Sequence, residues 1–392
     1  MKRSRWVVLG IYAWVAGLSQ MLWLNFAPIL SFIQKRYDVS ANMASLLLLV
    51  FPLTYIVLSI PAGSLTDRKG YKYAIGLGTV LMAVFSCVRV FTGSFWILLL
   101  AQTGISLGQP YVVNGITKLV MDWFPAEQAT LATGLGTVGL FFGMSLGMAA
   151  TPIAMDAFGF SATMAIFAAI SVVSCAAFLL LCRERSTGGE TAGISREFWP
   201  RMRNPSLVLL CGISFIGLGF FNGLTTWIEA ILATNGIGSV QAGIIGGLLI
   251  IGGVFGSALI PALSERFRKR KPFLIASILI AAATLFPFCR SANYHALLAW
   301  SFLNGFFFLP AYALILDMTS LEAGQRWAGS ATGVLMLAGN AGGVIVIVAM
   351  GWLKGDSVSF PSALPFLLTL LGAAALASIF TREPLGSLKI QA

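Results

Sequence analysis

Twelve apolar runs, most of them close to 20 residues long, constrain this chain more than any other feature. Their cores lie at 6–28, 41–63, 73–91, 95–117, 129–151, 162–181, 207–228, 240–262, 273–288, 296–316, 328–350 and 362–380. A helix of about 20 residues crosses the roughly 30 Å of a bilayer's hydrocarbon. In hydrocarbon a backbone must pair its own N–H and C=O groups, so runs of this length have to be helices. Composition agrees. The chain is 58% hydrophobic and 10% charged, where a soluble domain carries about 25% charged residues. The expected fold class is all-α integral membrane, with twelve transmembrane helices embedded in a lipid bilayer. The opening "MKRSRWVVLG" has the basic flank of a secretory leader, but the apolar run continues past Trp14, Gln20 and Trp23 and shows no small-residue cleavage site. It is expected to be a retained first helix.

Charge sets the topology. The formal net charge is +11, which by itself would suit a nucleic-acid partner. With twelve spans and the N-terminus inside, however, only Lys35, Arg36, Arg89, Arg290 and Lys354 of the 25 lysines and arginines fall on the outer side. That is the positive-inside asymmetry. It places both termini in the cytoplasm and leaves a nucleic-acid partner unneeded. The expected location is the inner membrane, as a multi-pass protein. Cys87, Cys175, Cys182, Cys211 and Cys289 form no CxxC pair, and His295 has no companion at metal-ligand spacing. Free apolar thiols and no metal or other cofactor are expected.

The hydrophilic stretch 183–204, "RERSTGGETAGISREFWPRMRN", divides the spans six and six. It reads as a cytoplasmic linker between an N-terminal bundle, 1–182, and a C-terminal bundle, 205–392. Ser, Thr and Gly make part of it flexible, and "REFWPRM" could lie on the membrane surface. The halves repeat each other. Ile60-Pro61 and Ile260-Pro261 are 200 positions apart, as are Pro110 in "GQPY" and Pro310 in "LPAY". Asp122 with Glu127 corresponds loosely to Asp317 with Glu322. Such spacing argues for two pseudo-symmetric six-helix bundles around a central site. Since one chain carries both halves, a monomer is expected.

Between the second and third runs stands "GSLTDRKGYK" (63–72), which packs Asp67, Arg68 and Lys69 beside Gly63 and Gly70. This loop resembles the signature of the major facilitator superfamily, Gly-x-x-x-Asp-Arg-x-Gly-Arg-Lys/Arg. Gly63, Asp67, Arg68, Gly70 and Lys72 match, and Tyr71 stands where a base is usual. A gate is the expected role. Gly63 would let two helices approach closely, and Asp67 would take a hydrogen bond from a helix N-terminus or an arginine. A plain basic loop would need neither the aspartate nor the glycines. The second-half copy, "ALSERFRKRK", keeps the bases and Glu265 without the glycines.

An ionisable group in mid-span is a functional hypothesis by default, and the spans offer almost none. Asp122, Asp317 and Lys118 lie at cytoplasmic ends, Glu229 and Arg89 at outer ends, and Asp38, Asp156 and Asp356 in outer loops. The superfamily's proton-coupled members carry a buried carboxylate, so its absence favours facilitated diffusion. The spans are rich instead in rings and amides. Helix 1 carries Tyr12, Trp14, Gln20, Trp23 and Asn25; helix 4 carries Gln102, Gln109, Tyr111 and Asn114. Helix 7 carries Phe220, Phe221, Asn222, Thr225, Thr226 and Trp227, helix 10 Asn304 and Tyr312, and helix 11 Asn340. Helices 1, 4, 7 and 10 line the cavity in the architecture this resemblance implies. Ring faces attract an organic cation by roughly 0.5 to 2 kcal/mol each. Near span ends the same residues serve as an interfacial belt, the simpler reading for Trp6, Trp96, Trp300 and Trp352.

Within the superfamily the chain resembles the feline leukaemia virus subgroup C receptor family, linked to haem and to choline and ethanolamine. The resemblance rests on "LWLNFAPILSFIQKRYDVS" (22–40) and on "GQP" followed by "WFPAEQAT" and a glycine-rich helix 5. It covers the N-terminal half well and the C-terminal half thinly. It implies that Trp23 packs on a choline ammonium and Gln109 lies near its hydroxyl. It puts Phe221 where the family has a cage tyrosine, which keeps the ring face and loses the hydroxyl. The substrate-binding set expected is Trp23, Gln109, Tyr111, Asn114, Phe221, Asn222, Tyr312 and Asn340. The expected function is alternating-access transport of a small organic solute such as choline or ethanolamine. A neutral or anionic metabolite, with Arg89 more important, is the alternative, as is a multidrug pump with a Met-rich pocket. A receptor or sensor is the alternative outside transport. No Ser/His pair, His/Asp/Glu cluster or metal spacing points to an enzyme.

Overall fold

The computed structural model describes residues 2–184, 199–324, 327–355 and 360–383. Among these residues there is no strand, and twelve helices of 18 or more residues carry the fold. In chain order they are α1 (Lys2–Leu24), α2 (Ala41–Lys69), α3 (Tyr71–Val88), α4 (Phe95–Trp123), α5 (Ala126–Phe158) and α6 (Phe160–Leu181). They continue with α7 (Pro205–Ala233), α8 (Ser239–Phe267), α9 (Lys271–Arg290), α10 (Tyr294–Ala323), α11 (Ala328–Lys354) and α12 (Ala363–Phe380). Each expected span has its helix. Ten of the spans are long and apolar enough to cross a membrane. The other two are α4, whose run is broken by Gln102, Gln109, Asn114, Lys118 and Asp122, and α12, whose apolar stretch is the shorter Ala363–Ile379. Most of the linker, and with it Arg185, Arg196 and part of "REFWPRM", lies outside the described residues, as do Arg326 and Asp356. Trp199–Met202 is a single helical turn.

The first run departs from expectation at its outer end. Instead of continuing to residue 28, α1 stops at Leu24; a 3₁₀ turn, Ala27–Ile29, follows, and then a short helix, Leu30–Tyr37. Pro28 lies in the turn's first positions; it has no N–H to continue an α-helix. Elsewhere prolines sit inside helices, including Pro61 in α2 with its repeat counterpart Pro261 in α8, and Pro110 in α4 with its counterpart Pro310 in α10. Neighbouring helices and side chains tolerate such breaks within a membrane. The starts are capped by short polar side chains. Ser40 Oγ accepts the Met43 amide, and Asn204 and Asn293 do the same for Ser206 and Ala296.

The described chain groups into two compact units. Met1–Thr191 with Ser239–Gly247 form one, and Ala192–Gly238 with Leu248–Ala392 the other. Inside the first, α1 and α5 pack through small residues. A Cβ on Gly139 or Gly143 would overlap the carbonyl of Ala13 or Gly17, and one on Gly147 would lie 2.6 Å from that of Met21. This four-residue stripe brings two backbones into contact, which is how helices associate where apolar burial itself offers no gain. In the second unit Gly342 lies against the Phe215 carbonyl, joining α11 to α7 in the same way.

Candidate functional site

The signature loop is built where α2 ends and α3 begins. Gly70 takes φ +84°, a conformation that favours glycine, and turns the chain between the two helices. The orphan amides at the α3 start meet a carboxylate, and it belongs to Glu184, three residues beyond α6. Glu184 Oε2 accepts the Lys72 amide at 3.0 Å. Asp67, expected in that role, is exposed in the last turn of α2 and makes no hydrogen bond or ion pair among the described residues. It sits at a helix C-terminus, whose free groups are carbonyls and not donors. Gly63 differs too. A Cβ there would meet nothing within 4 Å, so the expected close helix approach is not made at this position. Arg68 and Lys69 are exposed, with Lys69 Nζ 4.5 Å from the Tyr73 ring.

Tyr71 explains its departure from the pattern. It is fully buried, its hydroxyl donates to the Arg183 carbonyl, and it accepts the Trp123 indole N–H at 2.7 Å. One phenol therefore ties α3 to α4 and to the chain leaving α6. The second unit repeats the device. Glu383, three residues beyond α12, accepts the amides of Arg270 at 2.6 Å and Lys271 at 2.9 Å, and the Arg270 side chain pairs with Asp317. Neither glutamate was expected from the motif. The signal was present: Arg183-Glu184 and Arg382-Glu383 recur 199 positions apart.

Among the substrate candidates of the first unit, Trp23 is 8% exposed. Its indole donates to the Leu48 carbonyl at 3.0 Å, and its ring stacks on Phe51 at 6.0 Å. Asn114 is saturated by α2: it accepts the Tyr55 hydroxyl at 2.9 Å and donates to the Ser59 carbonyl at 2.9 Å. Gln109 is buried beside Pro110, and Tyr111 is half-buried with its Cβ turned toward Gly78 of α3. Trp23 and Asn114 thus both lean on α2, while no hydrogen bond or ring contact joins Trp23 to Gln109 among the described residues. Lys118 and Asp122 pair along α4 at 3.6 Å.

In the second unit Phe221 stacks parallel to Phe308, with ring centres 6.5 Å apart and planes 5° off, and Phe220 packs on the same ring at 4.6 Å. Asn222 is 1% exposed, lies against Gly343 of α11, and has both amide atoms without a partner among the described residues. Tyr312 is half-buried two residues past Pro310. Asn340 is half-buried and donates back to the Met336 carbonyl at 2.9 Å. Trp227 is internal, donating to the Ile347 carbonyl at 3.2 Å. Among the described residues no three His, Cys, Asp or Glu side chains gather as a metal site.

Known proteins share the family and the fold. The family model of the Major Facilitator Superfamily matches residues 11–347. Solute carrier family 49 member A3 of Xenopus tropicalis is 24% identical over 375 residues, 88% of this chain and 77% of that one. The choline/ethanolamine transporter flvcr2a of Danio rerio is 22% identical over 381 residues, covering 89% and 80%. A crystal structure of a bacterial homolog to the human lysosomal transporter Spinster, in an inward-facing and occupied conformation, superposes with a TM-score of 0.79 at 15% identity over 98% of each chain. Its likeness concerns the fold alone. Taken with the twelve helices and the repeated loop, the match over most of the sequence makes this chain a membrane transporter of the Major Facilitator Superfamily.

Proposed function

We propose that the chain carries a small organic amine of the choline or ethanolamine kind across the inner membrane, by facilitated diffusion and alternating access. In this reading the two six-helix halves are 1–182 and 205–392, with 183–204 as the cytoplasmic linker and both termini in the cytoplasm. The loop at Gly63, Asp67, Arg68, Gly70 and Lys72 belongs to the cytoplasmic gate, and the protein works as a monomer. The observation that carries the reading is Asn222, a buried amide with both polar atoms unpartnered among the described residues, one residue after Phe221, whose ring stacks parallel to that of Phe308. Ring faces suit the alkylated ammonium and an amide suits the hydroxyl or amine. The names of the relatives in zebrafish support the same cargo class. The carboxylates of the spans support diffusion over proton coupling. Asp122 and Asp317 lie toward cytoplasmic ends and Glu229 toward an outer end, so none stands in mid-span where a transported proton would be loaded.

The test is uptake of labelled choline and ethanolamine into liposomes holding the purified chain. Saturable uptake that is insensitive to an imposed pH gradient, and reduced by Asn222→Ala and Trp23→Ala, is expected. Strict dependence on the pH gradient would overturn facilitated diffusion, and no saturable flux of either amine would overturn the cargo class.

A further inference from the structure

Arg89 caps the end of α3, yet its side chain is fully buried. Cβ bonds lean toward a helix's N-terminus, so a side chain at this end points back into the bundle. Its neighbours show how far it reaches. Nη1 donates to Gln102 Oε1 at 2.9 Å, and the guanidinium lies over the rings of Phe26 and Phe167, 5.4 and 5.7 Å from their centres. Gln102 and Phe167 each stand seven residues inside their helices, about 10 Å at 1.5 Å per residue. Gln102 Nε2 in turn donates to the Leu22 carbonyl at 2.9 Å, in the last turn of α1 before the chain breaks.

Two features set this arginine apart. First, Nε and Nη2 are buried and have no partner, and no carboxylate pairs with Arg89 among the described residues. A buried cation without a counter-charge is costly in a membrane. The two ring faces and one amide offset only part of that cost. Nε and Nη2 are also the edge of a guanidinium whose N–H bonds run parallel, the fork that fits a planar oxyanion. Second, the duplicated half manages without it. The position 200 residues on is Cys289, the counterpart of Gln102 is Phe302, and the adjacent Arg290 is exposed. The second bundle is thus built without a buried arginine at this place.

We propose that the unpartnered Nε–Nη2 edge of Arg89, closed over in this conformation, is a binding site for a small planar oxyanion of the carboxylate kind, admitted when the surrounding helices part, with the guanidinium itself flanked by Phe26 and Phe167. The proposal stands on Arg89 itself and is independent of which amine the transporter carries. The anion is either free in solution or the carboxylate of a molecule that also bears an ammonium.

Thermal unfolding of the full chain in nanodiscs tests it, at constant ionic strength, with acetate, nitrate, chloride and the zwitterion trimethylglycine as probes. Acetate or nitrate should raise the unfolding temperature saturably, with chloride weaker because a sphere cannot use the fork. A rise with acetate assigns a free anion, and a rise with trimethylglycine alone assigns the carboxylate to a zwitterionic ligand. Arg89→Lys keeps the charge and loses the fork, so the half-saturating concentration should rise about tenfold, and Arg89→Gln should abolish the effect. Should Arg89→Gln not fold, Arg89→Lys decides alone. No saturable rise with any probe, equal rises with all four, or an unchanged response in Arg89→Lys would overturn the site. Choline uptake measured on the same preparation reports separately on the cargo.

Discussion

Glu184 Oε2 accepts the backbone amide of Lys72 at 3.0 Å, across 112 residues of chain. The second unit repeats the relationship at the same separation, where Glu383 accepts the Lys271 amide at 2.9 Å. In each unit the chain leaving the sixth helix supplies the carboxylate for the orphan donors and positive dipole end of the third. Glu184→Ala and Glu383→Ala should each cost roughly 0.5–2 kcal/mol, the value of a helix cap. Thermal unfolding in detergent reads this directly, with Glu265→Ala, a residue for which the structure shows no such contact, as the reference.

Stability should depend on pH through Glu184. Partial burial raises its carboxyl above the ordinary carboxylate range, outweighing the Lys72 amide, which pulls it down. The folded chain then binds a proton at higher pH than the unfolded one. The resulting contribution to stability is present below the ordinary carboxylate value and is lost as pH rises through the raised one. The effect is small because most of the residue remains exposed to solvent, which screens it. Glu184→Gln should remove this part of the slope above the ordinary carboxylate value; an identical slope in the variant would show that Glu184 does not contribute to it.

Trp23 carries two separable interactions, the N–H to the Leu48 carbonyl and the ring against Phe51. Trp23→Phe keeps a ring face and loses the hydrogen bond; Trp23→Ala loses both. If a cation packs on the ring, the alanine variant should bind choline roughly 3- to 30-fold more weakly, the equivalent of 0.5 to 2 kcal/mol. The phenylalanine variant should stay within about threefold. Equal losses in the two would place the effect on the α1–α2 hydrogen bond.

Asn114 is expected to act through α2 more than through a ligand. Its alanine variant leaves the Tyr55 hydroxyl and a Ser59 carbonyl without their partner, which costs about 1–3 kcal/mol where such groups are buried. The unfolding temperature should drop, with KM for the transported amine little changed. A large rise in KM at unchanged stability would return Asn114 to direct contact with cargo.

The glycine seam offers a clean contrast within one helix. Gly143→Ala puts a methyl group into the Gly17 carbonyl and should cost about 1–3 kcal/mol. Gly134→Ala meets nothing within 4 Å and should be neutral or slightly stabilising, since alanine favours a helix. Expression-matched unfolding curves of the two variants check this.

The sequence by itself determined the helices, their order and the repeat. Each span must pair its own backbone and match the hydrocarbon thickness, and both demands are met within about 20 consecutive residues, so Pro61 and Pro261 or Pro110 and Pro310 could be matched by counting. Even α4, too polar to pass an apolar test, was legible from its length and from "GQPY". Tertiary structure decided which side chains meet. Asp67 carries the motif, but the helix start it was expected to cap faces Glu184, 112 residues beyond Lys72 and set by how α6 returns against α3. Trp23 was legible as a ring near a span end, while its commitment to Leu48 depends on the break of α1 before Pro28 and the packing of α2. Arg89 reads as an outer-end base in one dimension and is a buried cation in three, because its direction follows from the helix it ends and its surroundings from α4, α6 and the break after α1. Contacts of that kind join segments far apart in the chain, and no local pattern encodes them.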